Sequence, residues 1–384
     1  MASNESVTAS WQGTAAALIG PTEPYRGGIA QYTTRLRKAL ADCCDLKTFS
    51  FKRLYPVWLY PGESDKEPGR DQYRLPDVEY TIDFYSPLSL RRTVDKIVAA
   101  GCEIAIISWW TLTWQPGLTY MARRLKRKGV TVIFLCHNLF DHDDKGLRRR
   151  LSESLLLQAD AYITHSNDDK ATIRRLKPDA PILHRIHPIY DQFPTPSRKL
   201  AKRGRLELLF FGLIRPYKGL DVLVRGLAQL RDEKVYLTVA GEAWGDVEAL
   251  RQQLLAEGAP NLRLYLRYMD EQTAANFFAR ADVVVLPYRS ATGSGVLAVA
   301  YNYRKPVLAT NVGGLPDSVE EGRTGWLVKP DSPEELATAI ARISREKARS
   351  MSLDIKNFCK ENSWEKMAEA ICEFAQSIKL QRKF

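Results

Sequence analysis

The chain is poor in cysteine and histidine, and what it lacks narrows its chemistry. The six cysteines among 384 residues, Cys43, Cys44, Cys102, Cys136, Cys359 and Cys372, include no CxxC pair and no spacing that would clamp zinc. Cys102 and Cys136 adjoin apolar, strand-like runs, where a reduced thiol serves as a small hydrophobe, so a cytoplasmic location is expected. No acidic cluster follows a strand to hold Mg²⁺, and no metal or other cofactor is expected. No apolar run approaches the roughly 20 residues that cross a bilayer. The opening residues MASNESVTASWQG lack the basic start of a signal peptide, so any membrane contact is expected to be peripheral. Interleaved aromatic and basic motifs of the RNA-binding type are missing, which counts against a nucleic-acid partner. There is neither a solenoid repeat nor a low-complexity tract. The most telling absence is local: no Asp or Glu lies between Leu286 and Pro316.

What is present is basic and long enough for two cores. Net charge is +11 and 45% of residues are hydrophobic. The length predicts two domains of about 150 to 200 residues, and the charge favours anionic partners. Apolar β-like runs alternate with amphipathic helical stretches, the pattern of parallel sheets built from βαβ units. In the first half the strands read as Ala15 to Ile19, Leu46 to Phe51, Ile104 to Ser108, Val130 to Cys136, Ala161 to His165 and Ile182 to Ile186. Helices are expected over Ile29 to Asp42, Leu88 to Ala100, Gly117 to Lys128 and Lys145 to Gln158. The stretch from Arg53 to Asp77, with Tyr55, Trp58, Tyr60 and Tyr73, reads as a long loop, either functional or a surface excursion.

The polar, proline-bearing segment 191–204 separates residues 1–190 from a second block of the same pattern, 205–360, and a last helix is expected over 361–384. The second block reads as strands Leu206 to Ile214, Val235 to Ala240, Leu262 to Leu266, Val283 to Leu286 and Pro306 to Ala309, with helices between them. The expected fold class is α/β, two Rossmann-like domains facing each other across a cleft.

Within the acid-free stretch, the strand ending at Leu286 gives way to a loop with Gly293 and Gly295, and a helix follows from Val296. The N–H groups at such a helix start attract anions. A second glycine turn, Gly313 and Gly314, opens on the same sheet edge. Upstream, FFGLIRPYKGL turns at Gly212 and places Arg215 and Lys218 just before a helix. The two cations either neutralise a diphosphate or are solvated surface charges.

These segments, Phe211 to Gly219, Ala240-Gly241-Glu242, Ala281 to Pro287 and Lys305 to Pro316, resemble the C-terminal domain of the retaining glycosyltransferases of family 4, which have the GT-B fold. In the first half Gly27-Gly28-Ile29 resembles the family's glycine loop facing the phosphates, and His137-Asn138 its active-site histidine. Trp364 looks like the start of the family's crossing helix. The resemblance implies Arg215, Lys218 and His137 as catalytic residues. It implies a donor site of Gly28, Gly212, Gly241, Thr292, Gly293, Ser294, Gly295 and Val296, with Tyr268 and Met269 at the nucleotide base. The substrate implied is a UDP- or GDP-linked sugar, the acceptor a hydroxyl of a glycan or lipid-linked sugar, and the setting cell-envelope or polysaccharide synthesis. A catalytically silent sugar-nucleotide binder is the alternative.

One feature departs from the family. Where it usually carries a spaced pair of donor-site glutamates, this chain has Ala291 and Val299, or Thr292 and Ala300 in a shifted alignment. Thr292, Ser294 and Asn302 lie close enough in sequence to offer replacement hydrogen bonds. For the acceptor, Gly27 and the WWTLTWQP segment stand out. Trp109, Trp110 and Trp114 either project from the domain edge, where indoles stack on sugars or settle at membrane interfaces, or pack in the core. Basic helix faces nearby, including Arg91, Arg92, Arg123, Arg124 and Arg148 to Arg150, would suit an anionic membrane surface.

Overall fold

The computed structural model describes residues 14–56, 65–67, 69, 72–140, 146–189, 193–230, 232–243 and 245–381. Trp58, Tyr60 and His142, the helix start at Lys145 and the first two linker residues lie outside them. The chain forms two compact units, one of Met1–Arg185 with Trp364–Phe384 and one of Ile186–Ser363.

Unit 1 runs β1 (Ala15–Ile19), α1 (Gly28–Ala41), β2 (Asp45–Arg53), β3 (Val78–Asp83), α2 (Pro87–Ala99), β4 (Ile104–Trp109), α3 (Gln115–Arg127), β5 (Thr131–Cys136), α4 (Gly146–Leu156), β6 (Ala161–Thr164), α5 (Asn167–Leu176) and β7 (Ile182–His184). Unit 2 runs β8 (Leu206–Phe211), α6 (Leu220–Leu230), β9 (Val235–Ala240), α7 (Val247–Ala256), β10 (Leu262–Tyr265), α8 (Glu271–Arg280), β11 (Val283–Leu286), α9 (Gly295–Asn302), β12 (Val307–Thr310), β13 (Gly325–Val328), α10 (Pro333–Arg342), α11 (Arg345–Ser350) and α12 (Ser352–Glu361). The last helix, α13 (Trp364–Gln381), belongs to unit 1 and packs on α1.

Unit 1 holds a seven-stranded sheet in the order β3-β2-β1-β4-β5-β6-β7, and unit 2 a six-stranded sheet in the order β10-β9-β8-β11-β12-β13. Every strand pair in both is parallel. Strands covered on both faces need continuous apolar runs, and β4, β5 and β11 are buried at every residue. The α/β reading with two Rossmann-like halves therefore holds. Two edge strands escape sequence reading: β3, VEYTID, has only an alternating apolar signature, and β13, GWLV, is just four residues long. The run expected from Leu206 to Ile214 ends at Phe211, because Gly212 takes a φ of +95° and turns the chain.

Candidate active site

In unit 2 the strand order reverses between β8 and β11, neighbours in the sheet that are distant in sequence. Open α/β sheets take ligands beyond the carboxyl ends of the strands at such a point. The loop after β8 turns at Gly212, whose N–H donates to the Ala240 carbonyl at 3.0 Å. A Cβ on Gly241 would stand 1.9 Å from the Gly212 carbonyl oxygen, so the two backbones meet with no room for a side chain. A Cβ on Gly212 would lie 3.2 Å from Val296 Cγ2 and 3.3 Å from Lys218 Nζ. Gly212, Lys218 and the first turn of α9 thus converge on one spot, although 84 positions separate Gly212 from Val296 in the numbering.

Lys218 ends a short 3₁₀ turn, Pro216–Lys218, that Arg215 opens, and it is only 8% exposed. Burial, with the like charge of Arg215 second, pulls its ammonium group down to about 8. Among the described residues its electrostatic neighbours are the Arg215 guanidinium and the face of Tyr288, whose ring centroid is 5.5 Å from Nζ, and not a carboxylate. A buried ammonium group without a counter-charge is costly, and an anion placed beside it would relieve the cost.

The start of α9 supplies donors for such an anion. Ser294 caps it, its Oγ accepting from Leu297 N at 3.3 Å, and the N–H groups of Gly295 and Val296 precede any intrahelical acceptor. A Cβ on Gly293 would touch nothing within 4 Å, so this approach is open. Behind it, Gly313 presses on Ala291: a Cβ there would be 1.6 Å from the Ala291 carbonyl oxygen, which accepts from Gly314 N at 3.2 Å. Ala291, Val299 and Ala300 are all buried and apolar, so of the positions in either alignment of the departed glutamates only Thr292, half-buried, carries a polar side chain. Asn302 does not fill the gap. It closes α9 seven residues after Gly295, about 10 Å along the axis.

Sequence reading missed the residues that hold these loops together. Arg289 is the only charged residue from Leu286 through Tyr303. Its guanidinium grips both carboxylate oxygens of Asp221 at 2.9 and 2.7 Å, reaches Asp331 at 2.6 Å and donates to the Pro216 carbonyl at 2.7 Å. Hydrogen bonds to Asp221 in particular hold Arg289 charged. It locks the loop that carries Lys218 to the one that leads into α9. Tyr288, almost fully buried, forms the wall beside Lys218. The lone charge at the strand end was the available signal for Arg289. Tyr288 gave none.

Tyr268 and Met269 follow β10 on the same carboxyl edge as Gly212 and Gly241, since β8, β9 and β10 are adjacent and parallel. Tyr268 is half exposed and Met269 is buried.

Unit 1 repeats the switch between β1 and β4. Gly27 caps α1 with a φ of +100°, and neither it nor Gly28 has a heavy atom within 4 Å of where a Cβ would stand. His137 follows β5, its N–H donating to the Trp109 carbonyl at 2.9 Å. Its ring meets Tyr32 edge-on at 4.7 Å, and Tyr32 also contacts His165 at 5.2 Å and Trp364 at 5.0 Å between ring centroids. The imidazole is thereby held in an aromatic setting at the carboxyl edge of the sheet.

Of the two readings of the tryptophan segment, projection is excluded and core packing is what the structure shows. Trp109, Trp110 and Trp114 are 0%, 5% and 4% exposed. Each indole N–H finds an acceptor: Trp109 the Leu139 carbonyl at 3.2 Å, Trp110 the Tyr55 hydroxyl at 3.1 Å, and Trp114 the Leu54 carbonyl at 3.0 Å. With the polar edges satisfied, burying the rings gains their full apolar area, so the segment packs inward despite its polar residues.

Comparison with known proteins bears on unit 2 most directly. Residues 205–346 match the family described as Glycosyl transferases group 1. Among curated proteins, the GDP-mannose:glycolipid 4-beta-D-mannosyltransferase of Xanthomonas campestris pv. campestris is 31% identical over 219 residues, 56% of this chain, which spans 60% of that relative's length. Among solved structures, sucrose-phosphate synthase from Thermosynechococcus elongatus superposes with a TM-score of 0.74 at 19% identity, covering 96% of this chain and all of the other. HepE of Anabaena in complex with UDP gives 0.70 at 19%, covering 95% of this chain and 100% of that one. At such identities the likeness concerns the fold, which is of the GT-B class. Residues 205–346 thus match the glycosyl transferases group 1 family, within a chain that has the fold of these solved structures.

Proposed function

We propose that this protein is a glycosyltransferase that moves a sugar from a UDP- or GDP-linked donor to a hydroxyl of a glycan or lipid-linked acceptor, without a metal ion. The observation that carries the reading is Lys218: a buried cation with no carboxylate beside it among the described residues, set between Arg215 and the open start of α9. A diphosphate supplies the missing charge. In the reaction the acceptor oxygen bonds to the anomeric carbon as the bond to the diphosphate oxygen breaks, and the acceptor proton passes to a leaving phosphate oxygen. Arg215, Lys218 and the N–H groups of Gly295 and Val296 stabilise the negative charge that builds there. Gly212 and Gly241 let the backbone approach the nucleotide, Tyr268 and Met269 lie against the base, and Thr292 and Ser294 contribute the hydroxyls of the loop. In unit 1 the residues we propose to take part in transfer are Gly27, Gly28 and His137.

Retention of the anomeric configuration follows from this proton route. One observation favours inversion instead: the Xanthomonas relative is named for forming a β-mannosidic bond, and a β product from an α-linked donor requires inversion. The coupling constant of the anomeric proton in the product, read by NMR, decides between them. The setting we propose is envelope or polysaccharide synthesis in the cytoplasm, with the basic helix faces of unit 1 resting on anionic lipid. None of the described helices is long and apolar enough to cross a membrane.

The test is a thermal-shift panel of UDP, GDP and their sugars on the native protein and on Arg215→Ala. One base series should stabilise the native protein and do so far less in the variant. No stabilisation by any member would sink the donor assignment.

A further inference from the structure

The buried tryptophans leave unit 1 without the exposed ring that a sugar acceptor would meet, yet one aromatic at the same sheet edge is open. Tyr85, two residues past the end of β3, is 55% exposed. It stands at the N-terminal side of α2, a position where an apolar residue often folds onto the first helical turn as a staple. The exposure shows that Tyr85 is not used in that way. Its ring is held from behind instead. The Arg53 guanidinium lies 4.8 Å from the centroid, and Arg53 is itself fixed by Asp83 through two parallel bonds of 2.9 and 2.8 Å. The Tyr85 N–H donates to the same carboxylate at 3.1 Å, and the Asp83 N–H donates to Ser89 Oγ at 3.0 Å. Phe84 meets Trp114 edge-on at 5.5 Å and stands nearly at right angles to the Tyr85 ring at 5.7 Å. One ring face is thus occupied by a cation and the backbone is pinned on both sides.

We infer that Tyr85, backed by Arg53, is a stacking platform for a sugar ring of the acceptor. A fixed aromatic with about half of its surface exposed offers an apolar surface to the C–H face of a pyranose at little entropic cost, and β3 ends on the edge where ligands of such sheets bind. The position also sets which sugar. The strand order places β3 two spacings from β1, about 10 Å, so the platform lies well out from the loop of Gly27 and Gly28. It meets a sugar beyond the one that is extended. The buried tryptophans act beneath it: Trp114 holds Leu54 and Phe84, and Trp110 holds Tyr55. This inference rests on the acceptor being a glycan, as proposed above.

The experiment is saturation-transfer NMR on the full chain with hexyl glycosides of glucose, galactose and mannose and of their disaccharides, run beside the nucleotide thermal-shift panel. Transfer to the sugar C–H protons is expected from the native protein, stronger for disaccharides. It should be about tenfold weaker in Tyr85→Ala and retained in Tyr85→Trp. Absence of transfer from the native protein, or equal transfer from Tyr85→Ala, overturns the platform. If nucleotides stabilise the protein while that happens, the donor reading stands and the platform alone fails. If sugars bind through Tyr85 and no nucleotide stabilises the protein, the donor reading fails and the platform stands.

Discussion

The glycine loops of the two units differ in what surrounds them. In unit 2, a Cβ on Gly241 or Gly313 would come within 1.9 or 1.6 Å of a backbone oxygen, whereas in unit 1 Gly27 and Gly28 have nothing within 4 Å. Unit 2 has closed its loops on one another, with Arg289 as the clasp and Lys218 enclosed, so the geometry for a small, highly charged ligand is set in advance. Unit 1 keeps Gly27 and Gly28 open and offers an exposed ring at Tyr85. A nucleotide diphosphate has one shape, and a fitted cradle suits it. Acceptors vary in size, and an open edge suits them better.

The comparison is broken most severely by filling the tightest contact. Gly313→Ala combines a φ of +52° with a clash against backbone that cannot step aside, and it should cost about 3 kcal/mol. A urea melt read by tryptophan fluorescence checks this, and a loss under 1 kcal/mol would mean the turn relaxes and the cradle is not rigid. Next in size is Lys218→Met, which keeps the buried stem and removes the charge. It relieves the cost of a buried cation, so the folded state should hold or gain stability while UDP or GDP binds about thirtyfold more weakly, the worth of a charge-assisted bond near 2 kcal/mol. Calorimetric titration measures the affinity. Unchanged affinity in a folded variant would remove Lys218 from the site.

How far this site was legible in the sequence follows the same division. Gly212, Lys218, Gly241 and the start of α9 could be read because backbone turns and a helix start leave marks at fixed offsets: glycine after an apolar run, Ser294 before a helix. The clasp could not be read that way, since Arg289, Asp221 and Asp331 meet only when two loops and the start of α6 fold together. Charges of that kind look like ordinary surface residues in a linear chain. The tryptophans misled for a related reason. Thr111, Thr113 and Gln115 around them suggested a solvent loop, but the partners that bury the indoles, the Leu54 and Leu139 carbonyls and the Tyr55 hydroxyl, lie at least 25 positions away in the numbering. The edge strand β3, VEYTID, alternates apolar and polar residues, and β13 is only four residues long; both went unread.

Two smaller effects sharpen the contrast. With Lys218 pulled down to about 8 by burial and by Arg215, the free protein loses this proton as the pH rises through that value, while a bound diphosphate holds the proton on. Nucleotide affinity should therefore be flat below pH 7.5 and fall toward tenfold per unit above about 8.5, and Lys218→Met should abolish that fall. A flat profile in the native protein would mean that Lys218 does not meet the phosphates. The smallest effect belongs to unit 1. Gly28→Ala meets no neighbour, and Gly28 is not among the residues with positive φ, so its stability should change by less than about 0.5 kcal/mol. Gly27→Ala, forced to a φ of +100°, should lose about 1 to 2 kcal/mol from backbone strain alone. If Gly28→Ala leaves the melt unchanged but slows transfer to acceptor in a steady-state assay, the open space at that loop is occupied during the reaction. If both melt and rate are unchanged, the openness of unit 1 at Gly28 has no part in the chemistry, and the contrast between the two units reduces to packing.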